Sequence, residues 1–206
     1  MRQLSLLFFL VPALLPGQRE SRWEASTLFG FRSNGSLTLS APGSTLSRGQ
    51  VDAAGLFSVT GGYRVDDQTL IEFRYSRQSP SLTLNSPVSG FSSPVETSLN
   101  QFAGDFTYEF SPENSDQFRP YVLGSVGATR LRVTGRAHTR LNLGIGLGAK
   151  YWVFKKAGVR VQGAWMPTVW NRTDAPFACS GPSCITASGS RWVHQIEFSI
   201  GPVFRF

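Results

Sequence analysis

The sequence predicts an all-β protein: an eight-stranded antiparallel up-and-down transmembrane β-barrel behind an N-terminal signal peptide. Three observations carry that prediction. Apolar and polar residues alternate over stretches of roughly ten residues, the length a tilted strand needs to cross a bilayer. The polar faces of those stretches are rich in glycine, which weakens a solvent-facing strand but makes room inside a narrow barrel. An apolar leader precedes them all, which marks the chain for export.

Composition agrees. The 206 residues carry abundant Gly and Phe, few charges and two cysteines. The formal charge of +7 is spread over the chain without the Lys/Arg block of a nucleic-acid site, so no nucleic-acid partner is expected. Mean hydropathy of −0.10 argues against a bundle of membrane helices. It does not argue against a membrane barrel, in which only alternate residues meet lipid.

Met1-Arg2-Gln3 and the apolar run Leu4 to Leu15 form the signal peptide, set at residues 1–18 with cleavage near Gly17 or Gln18. The run is shorter than the roughly 20 residues a spanning helix needs. The barrel domain takes residues 19–206, and no second domain is expected.

Strand one covers about Arg22 to Arg32, with Trp23, Ala25, Thr27, Phe29 and Phe31 opposite Glu24, Ser26, Leu28 and Gly30. A long polar stretch, Ser33 to Asp52, follows. Strand two, about Ala53 to Arg64, sets Phe57, Val59 and Tyr63 against Ser58, Thr60 and Gly62, then turns tightly at Asp66-Asp67. Strand three, Thr69 to Arg77, sets Ile71, Phe73 and Tyr75 against Leu70, Glu72, Arg74 and Ser76. A second long polar stretch runs from Gln78 to Val95. Strand four, about Thr97 to Phe110, sets Phe102, Gly104, Phe106, Tyr108 and Phe110 against Gln101, Ala103, Asp105, Thr107 and Glu109. Pro112, Asn114 and Asp116 mark a turn.

Strand five runs from Phe118 to about Arg132, with Ser125, Gly127 and Thr129 on its polar face. Strand six alternates without a miss: Leu141, Leu143, Ile145, Leu147, Ala149, Tyr151 and Val153 against Asn142, Gly144, Gly146, Gly148, Lys150 and Trp152. Lys155-Lys156 turns into strand seven, which sets Val159, Val161, Gly163 and Trp165 against Arg160, Gln162, Ala164 and Met166. A long connection from about Asn171 to Ser190 precedes the last strand. There Phe206, Phe204, Pro202, Ile200, Phe198 and Ile196 share one face, and Arg205, Val203, Gly201, Ser199, Glu197 and Gln195 the other.

A soluble barrel also alternates, with its apolar face inward. The glycine-rich polar faces, the strand lengths and the aromatics at strand ends favour the membrane form. Tyr63, Phe110, Tyr121, Tyr151 and Phe206 are expected at one rim and Phe31, Phe102 and Trp192 at the other, as a girdle at the lipid interfaces.

Ser199, Gly201, Phe204 and Phe206 stand in a polar-x-Gly-x-x-aromatic-x-aromatic pattern that resembles the C-terminal insertion signal of bacterial outer-membrane barrels. Phe118-Arg119-Pro120-Tyr121-Val122 is similar to a segment common in OmpA-like small barrels. With these motifs, about Arg22 to Phe206 resembles the OmpA/OmpX/opacity class of eight-stranded barrels. The resemblance implies a bacterial outer-membrane location, periplasmic termini, extracellular long loops, and the barrel-assembly machinery as a partner during insertion.

The polar faces place Glu24, Glu72, Asp105, Glu109 and Glu197 with Arg74, Lys150, Arg160 and Arg205 in the lumen. Unpaired buried charge is costly, so a salt-bridge network that plugs the lumen is expected, with Glu24 and Arg205 adjacent across the closure. An ion path is the alternative, and a narrow OmpW-like pore or carrier for small solutes its functional form. His138 and His194 lack a nucleophile–base–orienter set, so no enzyme is expected. No cofactor or metal site is expected either. Cys179 and Cys184, in Cys-Ser-Gly-Pro-Ser-Cys, are expected to form a disulfide in the last long loop. Arg130, Arg132, Arg136 and Arg140, with His138, crowd a middle loop, where lipopolysaccharide phosphates are a candidate partner beside the surrounding membrane lipid. The composition of the long loops names no extracellular partner.

Overall fold

The computed structural model describes residues 22–40, 47–84, 95–110, 117–133, 136–169, 176–180, 183–187 and 192–206, without the side chains of 36–49, 84 and 176–187. The expected signal peptide at 1–18 lies outside these residues, as does most of the turn after strand four.

The strands are β1 (Trp23–Asn34), β2 (Ser36–Ser40), β3 (Ser47–Val51), β4 (Ala54–Arg64), β5 (Thr69–Gln78), β6 (Ser81–Leu84), β7 (Val95–Glu109), β8 (Phe118–Val133), β9 (Arg136–Trp152), β10 (Ala157–Trp165), β11 (Thr168–Val169), β12 (Pro176–Ser180), β13 (Ser183–Ala187), β14 (Trp192–Val193) and β15 (Gln195–Arg205). Eight of them close a ring of antiparallel neighbours in the order β1, β4, β5, β7, β8, β9, β10, β15 and back to β1. Closure joins the two ends of the described chain. The Trp23 N–H donates to the Phe206 carbonyl at 3.1 Å, and the Phe206 N–H donates to the Trp23 carbonyl at 3.0 Å. A closed ring leaves no unpaired edge, which is the condition for strands to cross a bilayer.

Alternation decides what each face meets. Phe73 is 59% exposed and Tyr151 51%, on the outer wall, while their sequence neighbours Arg74 and Lys150 are buried inside. The glycines of β9 open the interior for larger side chains. A Cβ on Gly148 would lie 2.4 Å from Cζ of Tyr121, its cross-strand partner, so only glycine admits that ring. Tyr121 is therefore a correction to the expected girdle: it is 2% exposed and points into the lumen. Its parity with Ser125 dictates this; proximity to the strand end does not override a period of two.

The turn between β4 and β5 is tight because Oδ1 of Asp66 accepts from the N–H groups of Gln68 (2.8 Å) and Thr69 (2.7 Å). These bonds, that of Gln68 first, hold the exposed Asp66 carboxyl below its ordinary range.

At the end away from the termini, the expected polar connections contain further strands. β2 pairs β3, β3 pairs β6, β6 pairs β7, and the β12–β13 hairpin pairs β2 through β13. Short alternations such as Leu82-Thr83-Leu84 support these pairings, hidden among Ser and Pro. The middle loop is also corrected. β8 and β9, of 16 and 17 residues, stay in register up to Val133 opposite Arg136, so Arg130, Arg132, Arg136 and Arg140 stand on a strand hairpin. Arg130-Leu131-Arg132-Val133 itself alternates, and each residue has a partner on β9.

Candidate functional site: the charged lumen

The lumen holds three tiers of charge. At the end near the termini, Lys150 Nζ lies 2.5 Å from Glu24 Oε2 and 2.6 Å from Glu109 Oε1. Arg64 bonds both carboxylates, Glu109 at 2.9 Å. Arg205 reaches Glu24 at 3.0 Å, directly opposite it across the closure, and stacks on Trp152 with 4.2 Å to the ring centroid. Arg119 approaches Glu109 at 3.6 Å. This tier ties β1, β4, β7, β8, β9 and β15 together.

The middle tier crosses the lumen from β10 to β5. Arg160 holds Glu72 through two bonds, Nη1 to Oε1 at 2.5 Å and Nη2 to Oε2 at 3.0 Å. Arg160 Nε donates to the Tyr121 hydroxyl at 2.8 Å, and Nη2 donates to Gln162 Oε1 at 2.8 Å. Thr107 Oγ1 donates to Glu72 Oε2 at 3.0 Å. A planar guanidinium suits this two-point grip on a carboxylate.

In the third tier Arg32 meets Glu197 at 2.6 Å and donates to Ser76 Oγ at 3.0 Å. Arg74 meets Asp105 at 2.9 Å and Glu197 at 3.7 Å. Above this tier an apolar layer begins, mixed with polar groups: Leu56, Leu82, Val95, Leu99, Leu131, Val133 and Val193 are buried beside Gln78 and Thr97.

All the lumen charges expected from sequence, namely Glu24, Glu72, Arg74, Asp105, Glu109, Lys150, Arg160, Glu197 and Arg205, lie in these tiers. Sequence reasoning missed Arg32, Arg64 and Arg119. Each sits near a strand end, and parity carried through that end identifies it: Arg64 follows Thr60 and Gly62, and Arg32 follows Leu28 and Gly30. The apolar layer was also missed, although Leu99 and Leu131 share the parity of Gln101 and Thr129.

The expected terminal signal is displayed on β15: Phe204 and Phe206 face outward, while Ser199 and Gly201 are on the inward face. A Cβ on Gly201 would lie 1.9 Å from the Thr27 carbonyl oxygen, so β1 and β15 approach closely there. Cys179 and Cys184 face each other in the β12–β13 register. His194 lies on the outer wall, stacked on Trp165 with 5.6 Å between ring centroids and 9° between planes. Both line an outer-wall groove of about 420 Å³ with Leu143, Gly144, Ile145, Pro167 and Trp192. Pro167 has no N–H to return to β9, so the ladder is interrupted at that row. Among the described residues, no group of three or more His, Cys, Asp and Glu side chains could hold a metal ion.

A closed ring with an apolar outer wall and an ion-paired interior defines the class of small membrane-spanning β-barrels. The chain belongs to the family described as "Outer membrane protein beta-barrel domain", whose profile matches residues 5–163, and it is therefore a protein of the bacterial outer membrane. Solved structures share the fold. Neisserial surface protein A (NspA) is 14% identical with a TM-score of 0.57, covering 89% of this chain and 97% of its own. The outer membrane protein OprG from Pseudomonas aeruginosa is 13% identical with a TM-score of 0.67, covering 92% and 98%. The N-terminal barrel of Pseudomonas aeruginosa OprF is 14% identical with a TM-score of 0.50, covering 91% and 100%. No curated protein sequence matches the chain.

Proposed function

We propose that this protein has a structural or cell-surface interaction role in the outer membrane, with its lumen plugged by the salt-bridge network. One observation carries the reading: Arg32, Lys150, Arg160 and Glu197 are 0% exposed and ion-paired inside the barrel. Eight strands enclose an interior that side chains can fill. The buried layer above the charges adds a second closure. No catalytic step is assigned. The alternative is a narrow pore or carrier for small solutes. It is favoured by Arg32 Nη1, Asn142 Oδ1 and Gln162 Nε2, buried atoms without a hydrogen-bond partner that could serve a passing solute. Single-channel recording in planar bilayers separates the two. The plugged barrel is expected to stay silent, and steady openings would replace it with the pore.

We also propose that the termini are periplasmic and that the end bearing the β2–β3–β6 and β12–β13 strands is extracellular. The short turn at Asp66 lies at the end of the termini and the long connections lie at the other, as in outer-membrane barrels generally. Cys179 and Cys184 then form a disulfide at the cell surface. Surface thiol labelling of intact cells is expected only after reduction. Labelling without reductant would remove the disulfide, and protection after reduction would reverse the orientation.

A further inference from the structure

The outer wall carries three arginines at the end away from the termini: Arg77 on β5, and Arg130 and Arg132 on β8. All are exposed and alternate with the buried Gln78, Leu131 and Val133, so their parity is outward. Strand β7 lies between them. Arg77 is opposite Asn100, Asn100 is opposite Arg130, and Ser98 is opposite Arg132. Strand spacing of about 4.8 Å puts Arg77 about 10 Å from Arg130, and Arg132 stands about 7 Å further along β8. The Tyr75 hydroxyl donates to Asn100 Oδ1 at 3.0 Å, which leaves the Asn100 amide nitrogen as a donor in the same row.

None of the three guanidiniums has an ion pair or hydrogen bond among the described residues. Glu96 is the only carboxylate on the outward parity of β5, β7 and β8 among the described residues, and it makes no ion pair. The patch therefore keeps its positive charge. It stands directly beyond the lipid-facing Phe73, Phe102, Val122 and Val126. Arginine facing hydrocarbon is costly at mid-bilayer and nearly free at the interface, so this row marks the head-group level. The rest of that rim is different, with Phe31 and Phe198 tilted against each other at 5.7 Å between ring centroids, and with Trp165 and Trp192 lining the groove.

We propose that Arg77, Arg130 and Arg132, with Asn100, form a site for the phosphorylated head group of an outer-leaflet glycolipid. The proposal rests on the orientation given above. Three guanidiniums spread over this span need more than one negative charge. A single phosphodiester head group supplies one, and a sugar head group bearing two phosphates supplies more. Arginine grips phosphate through its planar fork. Arg136 and Arg140 lie on the opposite parity of β9, off the outward row, and are not part of the site.

The test uses the refolded full-length chain in phosphatidylethanolamine vesicles, with dansyl-labelled lipopolysaccharide read by energy transfer from tryptophan. Three modest surface contacts together predict about a tenfold loss of affinity in R77Q/R130Q/R132Q. The R136Q/R140Q control is expected to bind as the unaltered protein does. Lipopolysaccharide stripped of phosphate should bind the unaltered protein as weakly as the triple variant binds the intact lipid. If the triple variant keeps full affinity, or the control loses as much, the site is overturned. Competition by inorganic phosphate alone would assign the patch to a soluble anion and overturn the lipid. Should the triple variant fail to fold, R77Q and R132Q are read singly, each with a partial loss expected and no loss counting against the site. None of the three faces the lumen, so conductance should be unchanged in these variants. A pore finding would overturn the plug and leave this site standing.

Discussion

Glu72→Gln should destabilise the barrel by about 3–5 kcal/mol, the cost of leaving a buried charge without its partner. The Glu72 and Arg160 side chains are 1% and 0% exposed and meet through two parallel bonds. Glutamine preserves the shape but cannot neutralise the guanidinium, and the remaining groups around it, Tyr121 and Gln162, are neutral. Urea unfolding of the refolded protein in detergent measures the loss. Removing both charges, as in Glu72→Gln with Arg160→Met, should recover much of it, because a paired charge replaced by packed neutral groups is often tolerated. A loss below about 1 kcal/mol in the single variant would mean that water solvates Arg160. The lumen would then be open enough to conduct, and the plug reading would fail with it.

Ile145→Arg should cost about 2–4 kcal/mol, the penalty for a cation on the lipid face at mid-bilayer. Ile145 is 62% exposed and sits midway along the outward face of β9, between Leu141 at one end and Tyr151 at the other. Tyr151→Arg, at the rim, should cost no more than about 1 kcal/mol. Unfolding in lipid vesicles gives both values. Equal penalties at the two positions would show that the outer wall is not graded by membrane depth. Gly146→Val is the complementary change. Its Cβ would meet the Gly163 carbonyl oxygen at 2.6 Å and Ala164 Cβ at 3.0 Å, so the clash is inside the wall and independent of lipid.

The outward and inward assignments were legible one strand at a time. Leu143, Ile145 and Leu147 against Gly144, Gly146 and Gly148 is a local property, because side chains alternate whatever the strand's partner is. The same count identifies Arg32, Arg64 and Tyr121 as lumenal when it is carried through the strand ends. It failed there only because the aromatic rim and the polar connections were allowed to override the period. Strand existence was less legible where Ser, Gly and Pro dominate: β2, β3, β6, β12 and β13 depend on pairing with one another for their backbone hydrogen bonds.

Pairing of charges was legible only between neighbouring strands. Glu24 opposite Arg205 follows from closing the first strand on the last. Glu72 with Arg160, 88 residues apart and on opposite walls, does not. That contact depends on barrel diameter and on the stagger of all the intervening strands, which are collective quantities that no stretch of residues carries alone. The same stagger sets Arg77 level with Arg130 across β7 and leaves Arg136 and Arg140 on the other face. The alternation of residues thus determined the barrel and the content of its two faces, while closure and register decided which of those side chains meet.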